Sequence, residues 1–419
     1  LGIFLYNIFL WLFRAGTHVA SLFNEKAKKW VNGRKNIFKN LKATIPSGEK
    51  IIWMHCASLG EFEQGRPVIE RLKINYPDYK ILLTFFSPSG YEVQKNYKNA
   101  DWVFYLPIDG ASNAKRFLEI VQPSLVIFVK YEFWYYYLKK IKYREIPLIL
   151  ISALFRQDMS FFKWYGAMQR KILSRFNYLF VQNAESKKLI DNIGLSTICT
   201  IAGDTRFDRV IEIAASSKSL PLIEKFIAGK KVLIAGSTWK NDEELLQQIS
   251  DFLSFNNIQL IIAPHEINKD HIEEIQKLFP GSLLYSSLSS SPQEINADVL
   301  IIDNIGMLST LYKYAWCSYI GGGLNRTGVH NVVEAAVYHK PVFFGPNYEK
   351  YREAAELVAI KGAFAINDKD ELIAQLNQFI LNTSYYNESG EKAGTYVTNN
   401  GGAVEIILNY IQENRLLTN

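Results

Sequence analysis

The sequence predicts an α/β protein with two Rossmann-like domains facing a central cleft, preceded by an N-terminal membrane-anchor helix. Three observations carry that expectation. The chain has 419 residues, more than one hydrophobic core usually organises. From Ile51 onward short apolar runs alternate with amphipathic stretches, the pattern of parallel sheets wrapped by helices. An apolar N-terminal segment is followed directly by a run of cations, the order expected of a membrane attachment.

Within Leu1 to Phe13 the residues Ile3, Phe4, Leu5, Tyr6, Ile8, Phe9, Leu10, Trp11, Leu12 and Phe13 are apolar. Lys26, Lys28, Lys29, Arg34, Lys35, Lys39 and Lys42 then stand against one acid, Glu25, and this excess equals the whole formal net charge of +6. A basic run can bind nucleic acid, but beside an apolar segment it points to the cytoplasmic face of a membrane and not to nucleic acid. Residues 1–23 are therefore read as an anchor helix and 24–42 as a basic juxtamembrane segment. Arg14 interrupts the run, and a full span needs about 20 apolar residues, so a helix lying in the interface fits as well as one that crosses. A buried core helix is the bland alternative. A cleaved signal peptide fits less well, because no small-residue cleavage site with a polar start follows Phe13.

The first α/β domain is expected at 43–212, with strands at Ile51–His55, Ile81–Phe85, Leu125–Val129, Leu148–Ser152 and Tyr178–Val181. Helical patterns separate them, among them Pro67–Asn75 and Ala114–Val121. The grammar restarts after Asp208; serines and Pro221 within Arg209–Gly229 mark a connection, with the linker set at 213–230. The second domain, 231–400, has expected strands at Lys231–Ala235, Gln259–Ala263, Val299–Ile302, Trp316–Ile320 and Pro341–Phe344. Its helices are expected at Asp242–Leu253, Lys269–Leu278, Val332–Tyr338 and Lys369–Leu381, with a serine-rich surface loop at Ser286–Pro292. A C-terminal helix in 401–419 is expected to pack back on the first domain.

Composition narrows the function. With 48% hydrophobic and 21% charged residues the chain is globular and not disordered. Cys56, Cys199 and Cys317 are far apart, which suggests neither a disulfide framework nor a zinc site. A Gly-x-Gly-x-x-Gly fingerprint and a Walker loop are both absent, which argues against nicotinamide chemistry and a P-loop NTPase. Two Rossmann-like halves then suggest a nucleotide-sugar enzyme of the GT-B kind, although fold alone does not fix chemistry.

The candidate chemistry sits where strands end, since ligands of open α/β sheets bind beyond the strands' carboxyl ends. His55-Cys56-Ala57-Ser58-Leu59-Gly60-Glu61-Phe62 leaves the first strand; Gly60 permits a tight backbone, and Glu61 near a helix start is stabilised as an anion that can act as general base. A helix-capping glutamate is the structural alternative. Gly236-Ser237-Thr238 follows a strand and precedes a helix, a phosphate-binding arrangement or an ordinary capped turn. Gly321-Gly322-Gly323 lets backbone approach a ligand closely, and Glu334 can accept both hydroxyls of a ribose or merely cap its helix with Asn331. His330 lacks partners for a metal site and is read as structural or ligand-contacting.

At these residues the sequence resembles the 3-deoxy-D-manno-octulosonic acid (Kdo) transferase family, from the apolar N-terminus to about Ala355. The matching pieces are Trp53 to Phe62, Leu106-Pro107-Ile108-Asp109, Glu132-Phe133-Trp134, Val181-Gln182, Gly203 to Asp208, Gly236-Ser237-Thr238, Ile305-Gly306-Met307, His330-Asn331 with Glu334, and Pro341 to Pro346. The resemblance implies an inverting, metal-independent glycosyltransferase, needing no cofactor, that moves Kdo from CMP-Kdo to a lipid A precursor in lipopolysaccharide synthesis. It would work at the cytoplasmic face of the bacterial inner membrane. Glu61 takes the catalytic-base position, with Glu132 and Arg206 supporting the transition state. CMP contacts would come from Gly236, Ser237, Thr238, Pro264, His265, Ile305, Gly306, Met307, Gly322, Gly323, His330, Asn331, Val332, Val333 and Glu334. Ser58, Gly60 and Arg66 would face the acceptor, with Lys73 and the 24–42 cations as further candidates. Two positions depart from the family pattern: His265 stands where arginine is common, and Arg206 where many members have lysine. The competing expectations are a GT-B enzyme of other specificity, such as a UDP-sugar transferase or a UDP-sugar 2-epimerase, and a non-catalytic membrane scaffold.

Overall fold

The computed structural model describes residues 2–290 and 297–418. The chain folds as two compact units, Leu1–Asp208 with Gly402–Asn419, and Arg209–Gly401. Each is built on a seven-stranded sheet whose strands all pair in parallel.

In the first unit the strands are β1 Ile51–Cys56, β2 Lys80–Phe85, β3 Trp102–Tyr105, β4 Leu125–Val129, β5 Leu148–Ala153, β6 Tyr178–Val181 and β7 Cys199–Ile201. Their order, β3-β2-β1-β4-β5-β6-β7, reverses between β1 and β4. The central strands β1, β4 and β5 are buried along their whole length, because helices cover both faces and every position packs. The helix Leu59–Asn75 lies close on that sheet: a Cβ at Gly65 would meet Met54 Sδ at 2.7 Å and Cys56 Sγ at 3.2 Å. The C-terminal helix Ala403–Glu413 belongs to this unit, with Ile407, Leu408 and Ile411 in the cluster that holds Ile52 and Met54.

In the second unit β8 Lys231–Thr238, β9 Ile258–Pro264, β10 Leu283–Leu284, β11 Val299–Ile301, β12 Cys317–Ile320, β13 Val342–Phe344 and β14 Ala363–Ala365 are ordered β10-β11-β9-β8-β12-β13-β14. The reversal falls between β8 and β12.

Several elements differ from the sequence reading. The edge strands β3, β7, β10 and β14 are additions to it; each is short and only partly buried, so the pattern of long buried runs does not extend to them. The helix Thr205–Ser216 runs through the start of the expected linker, and Pro221–Ile227 is a helix that buries Ile223 and Phe226. The expected helix over Asp242–Leu253 breaks at Ile249 into Lys240–Gln248 and Ser250–Phe255. Tyr285–Ser290 is a short helix where the serines suggest a loop; Pro292 of that loop, Leu1 of the anchor segment and Asn419 lie outside the described residues. All three cysteines are buried and free.

The N-terminal helix Gly2–Ala20 is long and apolar enough to cross a membrane by length and composition. One face is fastened to the first unit. Leu10 is buried, the Tyr6 hydroxyl donates to Asp109 at 2.7 Å, and Phe13 packs on Trp30 and Phe86. Phe4, Trp11, Leu12 and, just beyond, Phe23 are exposed.

Candidate functional site

The switch point of an open α/β sheet leaves a crevice at the carboxyl ends of the strands that flank it. In the first unit those strands are β1 and β4, and the two chain segments leaving them carry Glu61 and Glu132.

Glu61 sits in the first turn of the helix Leu59–Asn75, half-buried, and the Ser58 hydroxyl donates to its Oε2. A carboxylate there gains from the helix's free N–H groups, and Ser58 fixes its orientation. Gly60 is not needed for a tight turn, since a Cβ there would meet only Ser58 Oγ at 3.9 Å. The backbone beside Glu61 is simply uncovered.

Glu132 is 8% exposed and is held from two sides. His55 Nε2 lies 2.8 Å from its Oε2, and the Trp134 indole donates to the same oxygen. With His55 donating from Nε2, its Nδ1 accepts from the Thr84 hydroxyl at 2.9 Å, which in turn accepts from Trp53 Nε1 at 2.8 Å. Glu61 and Glu132 also share a neighbour: burial, and then both carboxylates, push the Cys56 thiol well above its usual range.

Arg206 opens the helix Thr205–Ser216 and is clasped by Asp204, with Nε and a terminal nitrogen on Oδ2 at 3.0 and 2.8 Å. Burial alone would push the Asp204 carboxyl up, but Arg206 and the amide of Gln64, at 3.1 Å, hold it below the usual range. Gln64 is one turn along from Glu61, so the guanidinium is tied to the helix of the candidate base.

Arg66 and Lys73, expected on the acceptor side, are matched by acids. Arg66 pairs with Glu70 at 2.9 Å, and Lys73 with Asp101 at 2.6 Å. Asp109, from the Leu-Pro-Ile-Asp motif, is structural. Its buried carboxylate accepts from the backbone N–H groups of Tyr136 and Tyr137 at 2.9 and 3.1 Å, which seats the helix after Trp134.

In the second unit the strands flanking the switch point are β8 and β12. β8 continues through Gly236, Ser237 and Thr238, with a bulge at Ser237, whose φ is +53°. These residues are therefore not the capped turn that the sequence suggests, and Trp239 is the N-cap. A Cβ at Gly236 would fall 1.9 Å from the Tyr312 hydroxyl. Of the three glycines after β12, Gly322 has φ +88° and approaches Gly328 O, while Gly323 lies against Gly345 backbone. Here the close approach is to the chain's own loops, not to open space for a ligand.

What faces outward is aromatic. Trp239, His265 and His330 stack, with centroids 4.6 Å apart for Trp239–His265 and 4.4 Å for His265–His330. Trp239 Nε1 donates to His330 Nε2 at 2.9 Å, which places the proton of a neutral ring on Nδ1. Burial, and secondarily His265, push His330 down to about 4. Ile305, beyond β11, is 90% exposed. Gly306 has φ +98° and open space around it, and Met307 caps the short helix Leu308–Leu311. The expected helix over Val332–Tyr338 is only Val333–Ala336. Val332 and Val333 are buried, so only their backbone can meet a ligand. Asn331 Nδ2 donates to Glu334 at 2.8 Å, while Asn331 Oδ1 is buried without a partner.

Sequence reasoning missed Asp242, whose buried carboxylate accepts from Trp239 N, Gly322 N and the Tyr319 hydroxyl, each at 2.9 Å. It pins both loops of the second switch point. Burial pushes its carboxyl up against those bonds. Among the described residues no group of three or more His, Cys, Asp or Glu could hold a metal ion.

Residues 31–209 match the sequence profile of the 3-deoxy-D-manno-octulosonic-acid transferases (kdotransferases). The chain is 26% identical to the Aquifex aeolicus 3-deoxy-D-manno-octulosonic acid transferase, over 81% of this chain and 88% of that one. It is 25% identical to the Haemophilus influenzae protein of the same name, over 90% of each. The similarity to Kdo transferases therefore extends over most of the chain. Its fold is of the GT-B kind. A solved UDP-GlcNAc 2-epimerase from Neisseria meningitidis superposes with a TM-score of 0.60 at 18% identity, over 87% of this chain and 100% of that one. Both switch points are built, one around carboxylates and one around stacked rings.

Proposed function

We propose that the chain transfers Kdo from CMP-Kdo to a hydroxyl of a lipid A precursor, with inversion at the anomeric carbon. The observation that carries this reading is Glu61, held by Ser58 at the carboxyl end of β1 in a chain similar to Kdo transferases. Glu61 takes the proton of the acceptor hydroxyl as that oxygen bonds to the anomeric carbon. The bond from that carbon to the phosphate oxygen breaks, and CMP departs with the electron pair. One in-line displacement inverts configuration and needs no enzyme nucleophile. Glu132, oriented by His55 and Trp134, and Arg206, oriented by Asp204, supply the charges around the reacting centre.

The cytidylate is assigned to the second unit. There Ile305 offers an apolar face, Glu334 accepts from ribose hydroxyls, Asn331 Oδ1 awaits a donor, and His330 Nδ1–H serves the phosphate. The helix Gly2–Ala20 is proposed to lie along the cytoplasmic surface of the inner membrane, since one face is fastened to protein and the other is apolar and exposed. Combining Phe4→Ser, Trp11→Ser and Leu12→Ser should then release the protein from sedimenting vesicles, and unchanged sedimentation would remove the interfacial helix.

Incubation with CMP-Kdo and a tetraacylated, diphosphorylated disaccharide acceptor should raise the lipid mass by one or more Kdo units, with the opposite anomeric configuration by NMR. Turnover of a UDP-sugar with no use of CMP-Kdo would remove the assignment.

A further inference from the structure

A cavity of about 660 Å3 in the first unit is not used by the chemistry above. It lies among the N-terminal helix, the helices Glu25–Asn32 and Ile37–Thr44, and the loop after β3. Arg14, Arg34, Lys35, Lys39 and Arg116 line it, and no carboxylate does. Among the described residues none of these five makes an ion pair, whereas Arg66, Arg71, Arg144 and Arg206 of the same unit each face a carboxylate.

Arg34 is the telling member. Its guanidinium is largely buried, 3.9 Å from the Trp30 ring centre and 4.8 Å from that of Tyr105. It donates to three backbone carbonyls, Leu106 O at 2.9 Å, Trp30 O at 3.0 Å and Phe86 O at 2.8 Å. Carbonyl oxygens satisfy hydrogen bonds but bring no compensating charge, and a desolvated cation is costly until an anion arrives. Burial accordingly lowers this guanidinium to about 9. Trp30 is also a wall of a second, apolar groove of about 380 Å3, which Phe13, Phe86 and Pro88 complete. From that groove Phe86 packs at a tilt on Trp134, centroids 4.7 Å apart, and Trp134 donates to Glu132.

We propose that the cavity and the groove together bind a phosphate carried on a lipid, with the phosphate among Arg34, Lys39 and Arg116 and the adjoining acyl chain along Phe13, Trp30 and Phe86. The contact from the groove wall Phe86 through Trp134 to Glu132 makes the phosphorylated acceptor the occupant, so this deepens the proposed function and rests on it. A guanidinium pair with a phosphate at an apolar wall is selective because both the charge and the chain are recognised at once.

The test uses the full chain in mixed micelles, with an acylated diphosphorylated disaccharide and its dephosphorylated form as probes. Binding should favour the diphosphorylated probe by about ten-fold or more, and Lys39→Ala with Arg116→Ala should erase that preference while thermal unfolding stays cooperative. Arg34→Lys, which keeps the charge but not the fork, should reduce it in part. An undiminished acceptor preference in the double variant, with binding to phosphatidylglycerol vesicles lost, would overturn the acceptor as occupant. If binding to those vesicles were unchanged as well, the site itself would fall. Failure of Kdo transfer with the phosphate preference retained in the unaltered chain would strike the functional reading and leave the site standing.

Discussion

At the first switch point the three candidate catalytic side chains are each held by a protein partner: Glu61 by Ser58, Glu132 by His55 and Trp134, Arg206 by Asp204. At the second, Asp242 is buried as a brace for two loops, and the surface offers stacked rings, Ile305 and an unpaired amide oxygen. Groups that act on a reacting bond need their orientation set before substrate arrives. Groups that only bind leave polar atoms and apolar faces for the ligand to complete.

The largest effects should separate those roles. Glu61→Ala is expected to lower kcat by about 10²–10⁴-fold with the nucleotide KM little changed, while Glu334→Ala should raise that KM and leave kcat nearly intact. Steady-state kinetics with both substrates varied would read this, and the reverse pattern would exchange the two assignments. Next comes backbone. Gly322→Ala should destabilise by about 1–3 kcal/mol, because φ is +88° and a Cβ would meet Gly328 O at 2.6 Å. Gly60→Ala, with open space around it, should stay within about 0.5 kcal/mol; urea unfolding compares the two.

The legible part of the site was local. Glu61 follows its strand by a few residues, so strand, turn and helix could be read together. The His55–Glu132 contact joins residues 77 apart in sequence, and nothing in either segment alone predicts it. Edge strands escaped because they are short and lie where burial ends: β10 is Leu283–Leu284, half-buried at both positions, too brief for any periodicity to mark. Gly-Ser-Thr read as a turn, although a bulge at Ser237 lets β8 continue.

Smaller effects test the second switch point through pH. His330 is held at about 4, below the ordinary imidazole value of roughly 6.5, so the unfolded chain takes up this proton first. Its contribution to stability is therefore complete above roughly pH 6.5 and is lost as pH falls toward about 4. His330→Gln should flatten that part of the unfolding profile, and an unaltered slope would contradict the buried neutral ring. The smallest effect is expected at the first unit's rim, where Arg66→Ala should leave kcat unchanged and cost no more than about 1 kcal/mol, since its charge is already matched by Glu70.

Alternation of apolar runs and amphipathic stretches determined the two α/β halves, and the order of short motifs carries the resemblance to Kdo transferases, because both are written along the chain. The partner of each charge was decided only when the sheets formed. Burial removes water from an ionisable group, and which neighbour replaces that water depends on strands brought side by side from distant positions. Arg34 reads in sequence as one more cation of a basic run, yet folding places it among three carbonyl oxygens and two rings, with its charge unanswered.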